Sequence, residues 1–230
     1  MLGTIVNAAA IVAGSLIGLL FKKGFSKKIA DAVMTGLALC VLYIGVSGAL
    51  EGQHVLAVIL SMVVGGIAGT LLDLDARLKK LGDRIEARIK NGAQSGFSNG
   101  LVTASLLYCV GAMAILGALA SGLRGDHSIL YTKSLLDFIS AIVLAATLGM
   151  GVAFSAVPVL MYQGLITLLA QFVAPVLNDV AVADMTCTGS LLLIALGLNM
   201  LGVTKIKVMN YVPGIFLALG FSALMALLPA

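Results

Sequence analysis

Residues 148–166, LGMGVAFSAVPVLMYQGLI, lie between two long apolar runs and decide how the middle of the chain folds. The stretch combines helix-breaking residues with hydrogen-bonding side chains, at Gly149, Gly151, Ser155, Pro158, Tyr162 and Gln163. Because lipid offers no hydrogen-bond partner, irregular backbone at membrane depth occurs only against protein or a water-filled cavity. The stretch is therefore either a tight hairpin between two full helices or a break inside the membrane, and both alternatives bury it against protein.

The rest of the chain is too apolar for a water-soluble domain. Of its 230 residues, 60% are hydrophobic and 10% are charged, and the mean hydropathy is +1.13. A spanning helix needs about 20 apolar residues. Eight segments of suitable length are residues 1–21, 29–50, 55–72, 101–121, 130–150, 156–177, 185–203 and 208–228. The composition therefore predicts an all-α, polytopic transmembrane helical bundle in a lipid bilayer.

We predict a single integral membrane domain with four parts. These parts are a first three-helix unit (1–72), an amphipathic helix and linker (73–100), a central helix pair (101–155) and a last three-helix unit (156–230). In residues 73–90, leucine and isoleucine recur every three or four residues with charges between them, which predicts a cytoplasmic amphipathic helix. The sequence NGAQSGFSNG at 91–100 predicts a flexible linker.

The distribution of basic residues predicts the orientation in the membrane, because lysine and arginine accumulate in short cytoplasmic loops. With eight spans and both termini outside, twelve of the 14 basic residues lie in cytoplasmic loops. Merging the fifth and sixth segments into one span would move Lys205 and Lys207 outside. Eight spans therefore account for the charges better.

Two repeated patterns concern helix packing. Small residues four apart let helices approach closely, at Gly14–Gly18, Ser61–Gly65–Gly69 and Gly117–Ser121, and such faces are also candidates for contact in a homo-oligomer. The runs TGLALCVLYIGVSG (35–48) and TGSLLLIALGLNMLG (188–202) open alike. If segments one to three correspond to six to eight, equivalent segments run in opposite directions, which is the inverted repeat of many transporters.

Polar side chains inside or beside the spans are the candidate ligand-binding residues. They are Asn7, Asp137, Ser155, Tyr162, Gln163 and Asn199, and Gly149, Gly151 and Pro158 mark the backbone discontinuity. Amide, hydroxyl and carboxylate oxygens suit a sodium ion or a small polar solute. The alternative is structural: such residues hydrogen-bond neighbouring helices, and Asp137 follows Lys133 by four residues, so the two can pair near the outer surface. Asp31, in the first turn of its segment, is expected to be structural.

Several functions are not expected. The sequence contains none of the common hydrolase, metalloprotease or phosphate-binding motifs, so we expect neither an enzyme nor a bound cofactor. Cys40, Cys109 and Cys187 form no CxxC pair, and no metal-ligand set can be assigned. The net charge of +4 fits basic loops beside anionic lipid better than nucleic-acid binding. We expect His54 and His127 to be solvated in loops.

Four runs of sequence resemble the YqgA/YdfK-like family of bacterial inner-membrane proteins, a domain of unknown function. The runs are TIVNAAAIVAG (4–14), ASLLYCVGAMAILGAL (104–119), KSLLDFISAIVLAATLGMGVAFSAVPVLMYQG (133–164) and GLNMLGVTKIKVMNYVP (197–213), and the resemblance extends over essentially the whole chain. It implies an inner-membrane location, a sodium channel or pump as candidate function, and a connection with biofilm formation in one lineage. It assigns no residue a role.

Two functional hypotheses follow. The first is a transporter or channel for a cation or small solute, with a site at broken helices near the membrane midplane. The second is a non-transporting membrane protein that assembles or regulates partners through its glycine faces and the 73–90 helix. The first predicts that the polar residues converge, and the second predicts that they pair off in a dry interior.

Overall fold

The computed structural model describes residues 1–21, 27–88, 97–110, 112–174 and 177–226, and this part of the chain is helical without strands. The helices are α1 Leu2–Phe21, α2 Lys27–Ala49, α3 Val55–Leu71, α4 Leu74–Arg88, α5 Phe97–Cys109, α6 Ala112–Arg124, α7 Ser128–Leu148, α8 Gly151–Phe154, α9 Ala156–Leu168, α10 Ala170–Val173, α11 Asp179–Met200 and α12 Val212–Ala226. A short 3-10 helix, Val208–Tyr211, precedes α12. The all-α prediction is confirmed.

The helices have the lengths that a membrane requires. Among the described residues, six helical stretches are long and apolar enough to cross a membrane, and eight if each of two bent helix pairs is one span. These stretches coincide with the eight predicted segments, although α11 begins at Asp179, earlier than predicted. The predicted polytopic bundle is therefore confirmed.

The fourth predicted segment is not one straight helix. It divides into α5 and α6, which are bent by 61° with respect to each other. The break follows Cys109 and includes Val110, and residue 111 lies outside the described part of the chain. A second bend, of 51°, separates α3 from α4 at Asp73, whose φ is +46°.

Two compact units make up the described structure. Unit 1 comprises Met1–Leu37, Leu78–Cys109 and Met113–Gln171, and unit 2 comprises Ala38–Arg77, Val110–Ala112 and Phe172–Ala230. Helices α2 and α4 contribute residues to both units. The linker predicted at 91–100 extends too far, because Phe97–Gly100 already belong to α5. Residues 89–96 lie outside the described part of the chain.

Unit 1 is built on a close parallel contact between α1 and α7. A Cβ atom on Gly14 would overlap the Phe138 carbonyl oxygen, and one on Gly18 would overlap that of Ile142. Four residues further along α1, the contacted residue also lies four residues further along α7. The two helices therefore run in the same direction. The contact buries a stripe of α1 that is small or polar at most positions: Gly3, Thr4, Asn7, Ala8, Ile11, Gly14, Ser15 and Gly18. The predicted use of small residues for close packing is seen here.

The stretch at 149–158 forms a turn between two helices. Gly149 has φ +80°, which a side chain would disfavour, and it ends α7 after 21 residues. A Cβ on Gly151 would overlap the Phe97 carbonyl oxygen, so α8 packs tightly against α5. Pro158 lies in the first turn of α9, where a missing N–H interrupts no helical hydrogen bond. Helix α7 is long enough to cross a membrane, and so are α8 and α9 together. The geometry therefore matches the alternative of a tight hairpin between two full helices.

Unit 2 has two antiparallel glycine-based contacts of the same kind. A Cβ on Gly65 would overlap Gly214 in α12, and one on Gly69 would overlap the Asn210 carbonyl. The Asn210 side-chain oxygen accepts a hydrogen bond of 2.9 Å from the backbone N–H of Asp75, which fixes the start of α4 after the bend. In α2, Gly48 packs directly against Ser190 of α11. The inverted repeat itself stays a prediction.

The α1–α7 contact leads to a matched substitution test. We expect Gly18→Ala to lower the free energy of unfolding by about 1–3 kcal/mol, because the new methyl must push α7 away. The control is Gly36→Ala on α2, where a Cβ meets nothing within 4 Å and alanine favours the helix. Thermal unfolding of both variants in detergent measures the difference. Equal melting temperatures would show that α1 and α7 are not in backbone contact.

Candidate functional site

A buried ion pair lies near the middle of α7. Lys133 Nζ contacts both carboxylate oxygens of Asp137, at 2.9 and 2.8 Å. The two side chains share one helix face, and they are only 6% and 5% exposed. The predicted pairing is confirmed, and neighbouring helices enclose the pair. Removing two charges from water costs several kcal/mol per ion before their attraction offsets it.

Helices α1 and α9 bring two amide side chains to this pair. Asn7 on α1 is fully buried, and its amide faces the Asp137 carboxylate. Asn7 Nδ2 also donates a hydrogen bond of 3.3 Å to Oε1 of Gln163 on α9, which is likewise fully buried. Asn7 thus connects the ion pair to α9, so three predicted site residues from three helices converge.

A second polar contact joins α1 to α9 one turn away. The hydroxyl oxygens of Thr4 and Thr167 lie 3.3 Å apart, and both side chains are buried. Thr4 precedes Asn7 by three residues and Thr167 follows Gln163 by four, so the two helices run antiparallel. Neither threonine was predicted as a site residue from the sequence. Each lies one helical turn from one of the two amides, and this spacing could have indicated them.

Part of the hydrogen-bonding capacity of the two amides is unused. Asn7 Oδ1 and Gln163 Nε2 are buried and have no partner among the described residues. Leaving a buried donor or acceptor unpaired costs roughly 1–3 kcal/mol. One oxygen without a donor and one NH2 group without an acceptor therefore lie on two linked amides, and the Asn7 amide faces the buried carboxylate. A small polar ligand could complete this arrangement.

Helix α5 covers another side of the ion pair. The Tyr108 ring, which is 1% exposed, lies with its centroid 5.8 Å from Lys133 Nζ, within the range of a cation–π contact. The next residue, Cys109, is within electrostatic range of both Lys133 and Asp137. Because Cys109 ends α5, the ion pair adjoins the break between α5 and α6.

The other predicted site residues have separate environments. The Ser155 hydroxyl is buried and donates to the Val152 carbonyl oxygen at 2.6 Å, which is a local helix contact. Tyr162 is half-buried on α9 and lies within electrostatic range of Cys109. Asn199 belongs to unit 2, where its side chain accepts from the backbone N–H of Ile206 at 2.9 Å and donates to the Ile206 carbonyl oxygen at 2.7 Å. Asn199 therefore stabilises the loop that follows α11.

Unit 2 contains a buried carboxylate that sequence reasoning missed. Asp184 on α11 is fully buried, and its Oδ1 accepts from the backbone N–H groups of Gln53 and His54 at 2.8 and 2.9 Å. His54 Nδ1 lies 3.0 Å from Oδ2, and Ser222 contributes a further hydrogen bond. Asp184 thereby caps the N-terminus of α3 from another helix. It was missed because the predicted seventh segment began one residue later.

This arrangement also corrects the expectation for His54. Its side chain is 34% exposed and contacts Asp184, so it is not simply a solvated loop residue.

In the turn before α7, the hydroxyl and then the backbone N–H of Ser128 hold the pKa of Asp126 below its usual value. Asp126 lies at the N-terminus of α7 and Asp184 at that of α3, and at both places the helix dipole favours negative charge.

The donor set of the α1–α7–α9 cluster suits a hard cation or a polar solute. Its ligand atoms are carboxylate and amide oxygens, which hard cations prefer to thiolate or imidazole. Among the residues that the structure describes, no three histidine, cysteine, aspartate or glutamate side chains come together as a metal-binding group. A transition-metal ligand set is therefore not assigned.

The fold and these buried polar contacts define a multi-pass helical membrane protein. The chain belongs to the family described as "Protein of unknown function (DUF554)", whose profile matches residues 2–223. It is 34% identical to "Uncharacterized membrane protein YdfK" of Bacillus subtilis (strain 168) over 221 residues, covering 94% of this chain and 93% of that protein. It is 29% identical to "Uncharacterized protein YqgA" of Escherichia coli (strain K12), covering 97% of each. No solved structure matches.

The role of Asp184 can be tested by its effect on stability. We expect Asp184→Ala to lower the free energy of unfolding by about 3 kcal/mol, because the backbone N–H groups of Gln53 and His54 lose a charged acceptor. Asp179→Ala is the control, since Asp179 is exposed in the first turn of the same helix. Thermal unfolding in detergent compares the two. A loss of similar size in both variants would contradict a capping role for Asp184.

Proposed function

We propose that this protein is a transporter or channel for a small cation, with sodium as the first candidate, or for another small polar solute. Asn7, Asp137 and Gln163 hold the solute. The protein acts in the bacterial inner membrane with both termini outside, and the proposal includes no catalytic step. The family supports a membrane location, and the orientation rests on the distribution of basic loops.

The observation that carries the proposal is the buried Lys133–Asp137 pair, which the Asn7 amide contacts and connects to Gln163. Charged residues inside a membrane span are costly and usually mark ion or substrate paths. A purely structural contact between α1 and α7 needs only the glycines already present, because small residues provide close packing without charge. The unpartnered Asn7 oxygen adds a ligand atom that the protein itself leaves unused.

The break between α5 and α6 supports the same interpretation. Irregular backbone at membrane depth is tolerated where it borders protein or lines an aqueous path. Tyr108 and Cys109, at the end of α5, are also neighbours of the ion pair. The charged residues therefore lie beside the C-terminal end of α5, within unit 1. The 61° bend is an irregular point in the fourth predicted segment, where the sequence indicated none.

The assembly hypothesis receives less support from the glycine faces. Gly14 and Gly18 face α7, and Gly65 and Gly69 face residues in or just before α12. Gly117 packs against Ile129 and Leu130 at the start of α7. Since these faces are occupied by the chain's own residues, they do not present those glycines to a second copy. The homo-oligomer itself stays a prediction.

Tracer sodium uptake into proteoliposomes tests the proposed function. The variant is the double substitution Lys133→Met, Asp137→Asn, which removes both charges at once and so leaves no unpaired buried ion. We expect its uptake to fall at least tenfold, to the level of empty liposomes. The matched control is Lys28→Met, Asp31→Asn, because these two side chains are exposed on α2. Its uptake should equal that of the unaltered protein.

Two results would contradict the proposal for sodium. One is uptake by the unaltered, folded protein that does not exceed empty liposomes across the pH range tested. The other is equal uptake by the two double variants, which would place the solute path away from the ion pair. Melting temperatures in detergent confirm that each preparation is folded, so a loss of uptake is not mistaken for a loss of structure.

A further inference from the structure

We infer that Asn7 and Gln163 form a subsite for a small neutral solute that both accepts and donates hydrogen bonds, as amides, ureas and polyols do. The inference rests on the proposed function and names a chemical class for its polar solute. It starts from two open groups where α1 contacts α9. The Asn7 Oδ1 acceptor and the Gln163 NH2 donor are buried and have no partner among the described residues.

The Asp137 carboxylate determines which way the two amides face. An ionised carboxylate only accepts hydrogen bonds, so Asn7 turns its NH2 group, and not its Oδ1 atom, toward Asp137. The same NH2 group donates to Oε1 of Gln163 at 3.3 Å, which leaves the Gln163 NH2 group open. Reversing either amide would break these contacts. The open groups are therefore one acceptor and one donor.

These two groups need a ligand of both polarities. A cation can bind the Asn7 oxygen but accepts no hydrogen bond, so it leaves the Gln163 NH2 group unpaired. A molecule with a carbonyl or hydroxyl acceptor and an N–H or O–H donor satisfies both. The neighbouring charges of Lys133 and Asp137 are already paired, at 2.9 and 2.8 Å. The subsite thus offers hydrogen bonds without net charge, which suits a neutral molecule.

The contact between the amides limits the size of this molecule. Asn7 and Gln163 are joined directly through their other amide atoms. The open acceptor and the open donor are therefore separated by no more than two amide groups and the hydrogen bond between them. One small molecule can reach both.

The packing beside Gln163 leaves room at the next residue of α9. Gly164 is buried, yet among the described residues a Cβ atom on it would meet only the terminal methyl of Met1, at 3.5 Å. A Cβ on Gly14 or Gly18 would instead overlap the backbone of α7. The space beside Gln163 is thus bounded by the end of a flexible side chain, which can yield to a solute.

The polar lining continues one helical turn from the amides. The hydroxyl oxygens of Thr4 and Thr167 lie 3.3 Å apart on the same two helices. Each hydroxyl can donate and accept. A solute that moves along the contact between α1 and α9 therefore meets further groups with which it can exchange hydrogen bonds.

Uptake of radiolabelled urea and glycerol into proteoliposomes tests the subsite, because both probes are small, neutral and carry donors and acceptors. We expect the unaltered protein to take up at least one probe faster than empty liposomes do. Gln163→Met keeps a long flexible side chain but removes both hydrogen bonds, so that uptake should fall about tenfold or more. The matched control is Gln171→Met, because Gln171 is exposed on α10, and its uptake should be unchanged.

Gly164→Ala separates solute binding from a structural role. The added methyl takes up space beside Gln163 and makes only an ordinary contact with Met1. Probe uptake should therefore fall several-fold while the melting temperature in detergent stays that of the unaltered protein. Gly36→Ala, on an exposed face of α2, is the control and should retain uptake. If Gln163→Met does not fold, unchanged uptake in Gly164→Ala would overturn the inference.

Sodium uptake in the same vesicles distinguishes the subsite from the proposed function. Sodium uptake with no uptake of urea or glycerol would overturn the subsite and leave the proposed function standing. Probe uptake that is unchanged in folded Gln163→Met would also overturn the subsite, since the probe would then pass elsewhere. Absence of uptake of sodium and of both probes by the folded protein would contradict the proposed function and the subsite together.

Discussion

The close approach of α1 to α7 is the contact on which unit 1 depends. It exists because Gly14 and Gly18 leave room for the backbone carbonyls of α7, and in lipid such packing replaces the hydrophobic effect that drives helices together in water. The same approach brings Asn7 against Asp137 and, on its other side, against Gln163. The polar cluster is thus a consequence of small residues elsewhere on the same helix face.

The two buried carboxylates of the described residues, Asp137 and Asp184, have different partners. Asp184 accepts hydrogen bonds from fixed backbone N–H groups at the start of α3, so its negative charge serves to hold two helices together. Asp137 is balanced by Lys133, a single side chain on its own helix. The first arrangement joins two helices through backbone groups, whereas the second needs no backbone partner. This contrast, more than burial alone, makes Asp137 the candidate for transport.

The sequence by itself determined the helical class, the positions of the spans and the i,i+4 pairing of Lys133 with Asp137, because these depend on hydropathy and helical spacing along the chain. Only the tertiary structure decided which polar residues share an environment. It joined Asn7 to Gln163, 156 positions away in the chain, and assigned Asn199 to a loop. Helix register and packing direction determine such contacts, and a local pattern cannot specify how one helix meets another.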